Sequence, residues 1–233
     1  MSYQAYAELA ANALPEARAQ FIRRTYAHLA IAVLGFLVLE YVLISLPGIG
    51  NLAALMTGGL NWLVVLGLFM VVSFVADRMA RSSVSRGVQY VGLALYVVAQ
   101  AVIFVPLLFV AVYLVNDSTL IPTAAIITGT LFAGLTAVAF FTRADFSFLR
   151  GVLLIGGFVA LGLIAASVIF GFTLGLIFSF AMVGFAAAAI LYYTSNIIHY
   201  YRTDQYVAAS VTLFASVALL FWYVLQILIS LRR

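Results

Sequence analysis

The sequence has no cysteine and no lysine, four prolines, two histidines, and few charges of either sign: eleven arginines and seven acids make up 8% of 233 residues. The missing cysteine excludes disulfides, thiolate metal sites and a cysteine nucleophile, and leaves the compartment open. The histidines, His28 and His199, lack the nearby carboxylates that would complete a metal set, and the sequence implies no cofactor. The shortage of charge excludes most. A soluble globular protein carries about 25% charged residues, and water could not solvate a surface this poor in them. What the chain has instead is apolar bulk, 67% of its residues. Lipid accommodates such an exterior, so the composition points to one all-α bundle in a bilayer. A net charge of +4 reports loop orientation before it reports nucleic-acid binding, and nothing suggests a nucleic-acid groove.

A hydrocarbon core of about 30 Å takes about 20 helical residues at about 1.5 Å each. The chain supplies such runs at residues 25–46, 60–76, 88–114 and 119–141, separated by polar or charged breaks. The first begins after Arg23 and Arg24 and lacks the small-residue cleavage pattern of a secretory signal, so it reads as a retained span. Gly151 to Tyr193 carries no charge at all, about twice the length one span can use. It must fold back, and Gly171, Phe172 and Thr173 are the expected reversal because glycine permits the backbone angles of a tight turn. That gives spans 151–170 and 173–193, and a last span covers 207–231. Long continuous runs disfavour the short alternating segments of a spanning barrel. Residues 1–24 form a cytoplasmic lead-in, with Pro15 and Glu16 suited to a helix start.

With the N-terminus cytoplasmic, nine arginines lie inside and only Arg232 and Arg233 outside. A six-span alternative gives ten against one, so charge does not choose between six and seven. Length does, and favours seven.

Without a hydrophobic drive between helices in lipid, small residues that permit close approach become the packing device. Gly171 with Gly175, and Gly184 with Ala186 to Ala189, are expected to form such stripes. Pro106 should kink the third span. Glu40 is the only acid well inside a span, where a charge costs at least about 2.5–3.5 kcal/mol on insertion scales. It is either an ion or proton ligand, or a carboxylate reaching the outer interface or a neighbouring helix. Gln100 is the matching polar residue of the third span. The densest polar cluster runs from Tyr192 through Thr194, Ser195, Asn196 and His199 to Arg202 and Asp204. Ser195 and His199 share a helix face, yet no orienting acid and no nucleophile-elbow glycines accompany them. A helix end with interfacial tyrosines is the simpler reading, and no enzyme is expected.

The stretch Phe141-Thr142-Arg143-Ala144-Asp145-Phe146-Ser147-Phe148-Leu149, then Tyr193-Thr194-Ser195-Asn196-Ile197-Ile198-His199, then Ala209-Ser210-Val211-Thr212-Leu213-Phe214, resembles the Bax inhibitor 1 family, most closely its bacterial YccA branch. Phe21 to Tyr26 is similar to that family's approach to its first span. The resemblance implies a seven-helix bundle with the C-terminal helix central, in a bacterial inner membrane. For the YccA branch it implies association with the membrane protease FtsH and its HflK and HflC partners. For other branches it implies a pH-sensitive calcium or cation leak gated by two facing acids on spans six and seven. This chain departs from that pattern: the matching positions are Tyr193 and Ser216, neither a carboxylate. A tyrosine with a pKa near about 10 and a serine cannot replace a pair titrating near neutrality, and divalent cations prefer charged oxygen ligands. The candidate ion-pathway positions are therefore Tyr193, Ser216, Glu40, Gln100, His199 and Asp204. The resemblance leaves the oligomeric state open.

Overall fold

The structure is a computed structural model that describes residues 8–232; residues 1–7 of the lead-in and Arg233, expected on the outer side, lie outside the described residues. Eight helices follow in order: α1 (Pro15–Ile44), α2 (Ile49–Thr57), α3 (Asn61–Ala80), α4 (Arg86–Phe109), α5 (Leu120–Thr142), α6 (Leu149–Phe170), α7 (Gly175–His199) and α8 (Tyr206–Arg232). All except α2 are long and apolar enough to cross a bilayer, and no strand occurs among the described residues. The protein is an all-helical, seven-span membrane bundle.

The spans alternate direction, so the starts of α1, α4, α6 and α8 meet the ends of α3, α5 and α7 at one rim. That rim carries Arg18, Arg23, Arg24, Arg78, Arg81, Arg86, Arg143, Arg150 and Arg202. At the opposite rim Arg232 pairs with Asp117 at 3.1 Å and ties the end of α8 to the turn before α5.

The segment before Arg23 and the first span form one 30-residue helix, with Pro15 in its first turn, where its missing N–H is harmless. Its inward stripe is Phe21, Thr25, Leu29, Ala32, Phe36 and Glu40, at spacings of three and four. A nine-residue helix, α2, is not among the expected elements. Gly48 starts it with φ of 84°, and Ile49, Ala53 and Met56 turn inward to pack with Val105 and Phe109 of α4.

α4 is capped at Ser85, whose Oγ accepts from the Val88 N–H at 3.2 Å. Ser85→Ala should lose about 1 kcal/mol, readable as a fall of roughly 2–4 °C in the Tm of the detergent-solubilised protein. The helix continues through Pro106 and widens four residues later into a π-helical turn, Val110–Val115. It closes at Asn116 with φ of 55°.

α8 occupies the centre. Eighteen of its 27 residues are buried, including every position from Tyr206 to Phe214, so it is enclosed on all sides near the arginine-rich rim. It packs against α1, α3, α4, α5 and α7. Around it, Phe36 meets Phe104 at 5.1 Å and Phe214 at 5.9 Å, while Trp222 meets Phe104 at 4.9 Å. α6 is the opposite case: it buries only Ala160 and leans on α7, with light contact to α3.

The reversal falls at Gly171, whose φ of 73° closes α6 while its N–H donates to the Ser167 carbonyl at 3.0 Å. Of the small residues expected to pack, Ala186 and Ala189 are buried in the bundle, whereas the glycines need correction. Gly171 and Gly175 are both turn residues with positive φ, and neither they nor Gly184 would bring a Cβ within 4 Å of another element. Their task is chain reversal, for Gly171 and Gly175, rather than helix contact. The close contact lies instead between α3 and α4: a Cβ on Gly92 would stand 2.6 Å from both the Ala76 carbonyl oxygen and the Ala80 nitrogen.

Candidate functional site

The arginine-rich rim is organised around the turn between α7 and α8, Tyr200 to Gln205. The Tyr200 and Tyr201 N–H groups both donate to the Asn196 carbonyl, at 2.7 and 3.0 Å, which ends α7. Arg202 then grips Asp204 with two nitrogens, at 3.1 and 2.7 Å, and the Arg202 N–H donates to Gln205 Oε1 at 3.0 Å. A compact polar turn results, and four other parts of the chain attach to it.

The lead-in attaches by backbone: the Ala10 N–H donates to the Tyr201 carbonyl at 2.8 Å and the Thr203 N–H to the Glu8 carbonyl at 3.0 Å. From the end of α3, Arg81 pairs with Asp77 at 2.8 Å and lies over the Tyr201 ring at 5.8 Å. From the start of α4, Arg86 donates to the Asp204 carbonyl at 2.7 Å and covers the Tyr206 ring at 4.9 Å. Tyr206 also receives Arg24 at 5.5 Å, and its hydroxyl lies 3.2 Å from that of Tyr90.

The loop between α5 and α6 is the fourth attachment. Arg143 starts it with φ of 50°. Ser195, fully buried on α7, accepts from the Phe146 N–H at 3.1 Å and donates to the Ala144 carbonyl at 3.2 Å. Asp145 accepts from the Tyr200 hydroxyl at 2.5 Å and the Ser147 N–H at 2.9 Å. The Tyr200 hydroxyl, aided by the Ser147 N–H, holds the Asp145 carboxyl below its ordinary value, and the same bond raises the Tyr200 phenol. A depressed folded-state value makes the stabilisation complete above the unfolded carboxyl value of about 3.9, and it fades as pH falls through the folded value. Asp145→Asn should therefore lower Tm at pH 7 and cease to differ from the parent chain in strong acid. Paired melts from pH 7 down to pH 3 measure it, and a pH-independent gap would remove the ionised carboxylate from the docking.

Ser195 thus serves as a clamp. His199 Nδ1 lies 2.9 Å from the Ser195 carbonyl oxygen, which can only accept, so that nitrogen carries its proton toward the backbone. Its 3.4 Å approach to the Ser195 hydroxyl does not supply a base.

Two cavities open at this rim. One, of about 310 Å³, is lined by Arg81, Ser147, Arg150, Tyr192, Asn196, Tyr200, Tyr201 and Gln205. The other, about 340 Å³, lies among α1, α5 and α7 behind Arg18, Arg143, Ile22, Phe140 and Ile198. One helical turn beneath those last three residues sit the buried hydroxyls of Tyr26, Thr136 and Thr194.

The six positions named from sequence divide into two groups. His199 and Asp204 belong to the rim, and Tyr193 is half-buried on α7 a turn and a half below it. Glu40 on α1, Gln100 on α4 and Ser216 on α8 are buried within the bundle. Ser216 donates to the Thr212 carbonyl at 2.9 Å, whereas neither oxygen of Glu40 meets a hydrogen-bonding group among the described residues. No hydrogen bond joins any two of the six among the described residues, so they do not form one assembled centre. The cluster of Arg81, Asp145, Arg150, Tyr200 and Tyr201 was not singled out from sequence, where these residues read as loop charges and interfacial aromatics. The Asp145 to Arg150 loop and the Tyr200 turn are far apart in the chain, and only the fold joins them.

A model of the family described as Inhibitor of apoptosis-promoting Bax1 matches residues 18–233. Among curated proteins, the uncharacterized protein PA2604 of Pseudomonas aeruginosa is 39% identical over 123 residues, covering 52% of this chain and 55% of that protein. The chain thus spans about half the length of the curated relative it matches. No solved structure matches.

Proposed function

Because the chain belongs to the family of inhibitors of apoptosis-promoting Bax1, the Bax inhibitor 1 family, we propose that it is a non-enzymatic modulator of the FtsH membrane protease system, placed in a bacterial inner membrane. The positive-inside tendency assigns the arginine-rich rim, and with it the N-terminus, to the cytoplasm. The observation that supports a regulator is the filled centre. α8 is buried by apolar side chains from five helices. A rim that ties four separate chain segments to one turn is a surface suited to meeting a partner in the cytoplasmic leaflet. Affinity purification from native membranes in mild detergent tests this: FtsH, HflK and HflC should co-purify in reproducible proportion. Their repeated absence rejects the reading.

Glu40 favours a second reading, a cation leak. A buried acid without a hydrogen-bonding partner among the described residues is a default candidate for an ion pathway in a membrane protein. Liposomes loaded with a calcium or pH dye decide this, and flux no greater than that of empty vesicles between pH 6 and 8 excludes it. Given flux, Tyr193→Asp should steepen its pH dependence by restoring a titratable group.

A further inference from the structure

The 310 Å³ cavity has a composition the two readings above leave unused. Arg81, at the end of α3, and Arg150, in the first turn of α6, both line it, and those two helices touch only lightly. Since α6 buries a single residue, the cavity adjoins a thinly packed seam at the edge of the bundle, at the level of one rim. A lipid headgroup can reach it from the leaflet without crossing packed core.

The charges lining the cavity and those next to its lining residues are not equivalent. Asp77 engages Arg81, Asp145 accepts from Tyr200, and Asp204 is held by Arg202. Arg150 forms no ion pair and no side-chain hydrogen bond among the described residues, and it stands at the positive end of the α6 dipole. Donors surround it. Gln205 spends its oxygen on the Arg202 N–H and keeps its amide NH2, and the Asn196 side chain makes no hydrogen bond among the described residues. One uncommitted guanidinium with neutral donors around it suits an oxyanion with several acceptor oxygens, and the guanidinium fork matches phosphate. Ligand pockets run from about 300 to 1,000 Å³, so this one takes a headgroup and little more.

We infer that the cavity bounded by Arg81, Arg150, Asn196 and Gln205 binds the phosphate of an anionic phospholipid from the arginine-side leaflet. The lipid bridges α3 and α6 and closes the seam that protein contacts leave thin. Basic pockets between spans on the cytoplasmic side have the right position and charge for such headgroups.

The test uses the full chain in nanodiscs of phosphatidylcholine with a minority of phosphatidylglycerol, with retained lipid counted by native mass spectrometry after detergent release. The parent chain should retain phosphatidylglycerol selectively, and Arg150→Gln should reduce retention about tenfold, while Arg23→Gln, an exposed arginine of the same rim outside the cavity, should leave it near the parent value. Arg150 is exposed, so its loss should not disturb folding; a melt in phosphatidylcholine alone checks this, and Asn196→Ala provides a second variant expected to weaken retention. Equal losses for Arg150→Gln and Arg23→Gln would reduce the effect to surface charge and overturn the site. A parent chain that is stabilised by inorganic phosphate yet retains no phosphatidylglycerol would overturn the lipid assignment.

Discussion

Gly92→Val is expected to remove most of the folded protein, with any survivor melting roughly 10 °C lower. The reason is distance. A Cβ at this position would stand 2.6 Å from the Ala76 carbonyl oxygen, 2.6 Å from the Ala80 nitrogen and 2.8 Å from the Met79 Cβ. Two of those atoms are backbone, so no side-chain rotation relieves the contact and one helix must move. Ala76 and Ala80 are themselves fully buried, which leaves α3 no slack on this face. Overpacking a dense core takes about 1–3 kcal/mol, and more where backbone must shift. Because the turn from Arg81 to Ser85 is only five residues long, displacement of α3 would also carry Arg81 away from Tyr201. Gly129→Ala is the control. That helical glycine has open space around its missing side chain, so alanine should be neutral or stabilising by up to about 1 kcal/mol. Size-exclusion profiles and melts of both variants in one detergent compare them directly. A well-folded Gly92→Val protein would mean that α3 and α4 are not packed this closely.

The two glycine classes show what a sequence can and cannot convey. The reversal at Gly171 is legible because it follows from length: 43 uncharged residues exceed one span, and a glycine stands near the middle. The same arithmetic yields seven spans and the shared arginine rim. Gly92 carries no comparable mark, since its role depends on which helix lies opposite, and a stripe of glycine and alanine elsewhere looks at least as suitable for contact. The helix α2 escaped for a related reason, being too short for a span and too apolar to read as a loop. Its anchoring face is defined by residues distant in the chain, Val105 and Phe109 of α4 and Val65 of α3, together with Leu43 and Ile44 at the end of α1. At the rim, the cluster Tyr192 to Asp204 was visible, and so was the shared face of Ser195 and His199. That Ser195 clamps the loop of Ala144 and Phe146 was not visible, because some fifty residues separate the partners.

Glu40→Leu should raise Tm by roughly 4–12 °C, on the basis of about 2–3 kcal/mol recovered and about 2–4 °C per kcal/mol for a chain of this size. Glu40 continues the inward stripe of α1 one turn beyond Phe36, which packs edge-on against Phe104. Every other member of that stripe is apolar or a small hydroxyl. A carboxyl there loses its hydration, and no donor among the described residues replaces it. Leucine fills similar volume without that loss. A fall in Tm would show that the acid has a partner and serves the fold. The consequence for function separates the two readings proposed above. Where a chain keeps an acid that weakens its fold, the acid serves activity, and the stability gained by removing it is offset by function lost. Glu40→Gln keeps the shape and removes the charge, so it isolates the ionisable group. Under the leak reading, that variant abolishes flux in dye-loaded liposomes while melting no lower than the parent chain. Under the regulator reading, FtsH co-purification is unchanged, because Glu40 is buried in the bundle, well removed from the rim where a cytoplasmic partner would dock. One substitution read by both assays therefore assigns Glu40 to transport or removes it from consideration.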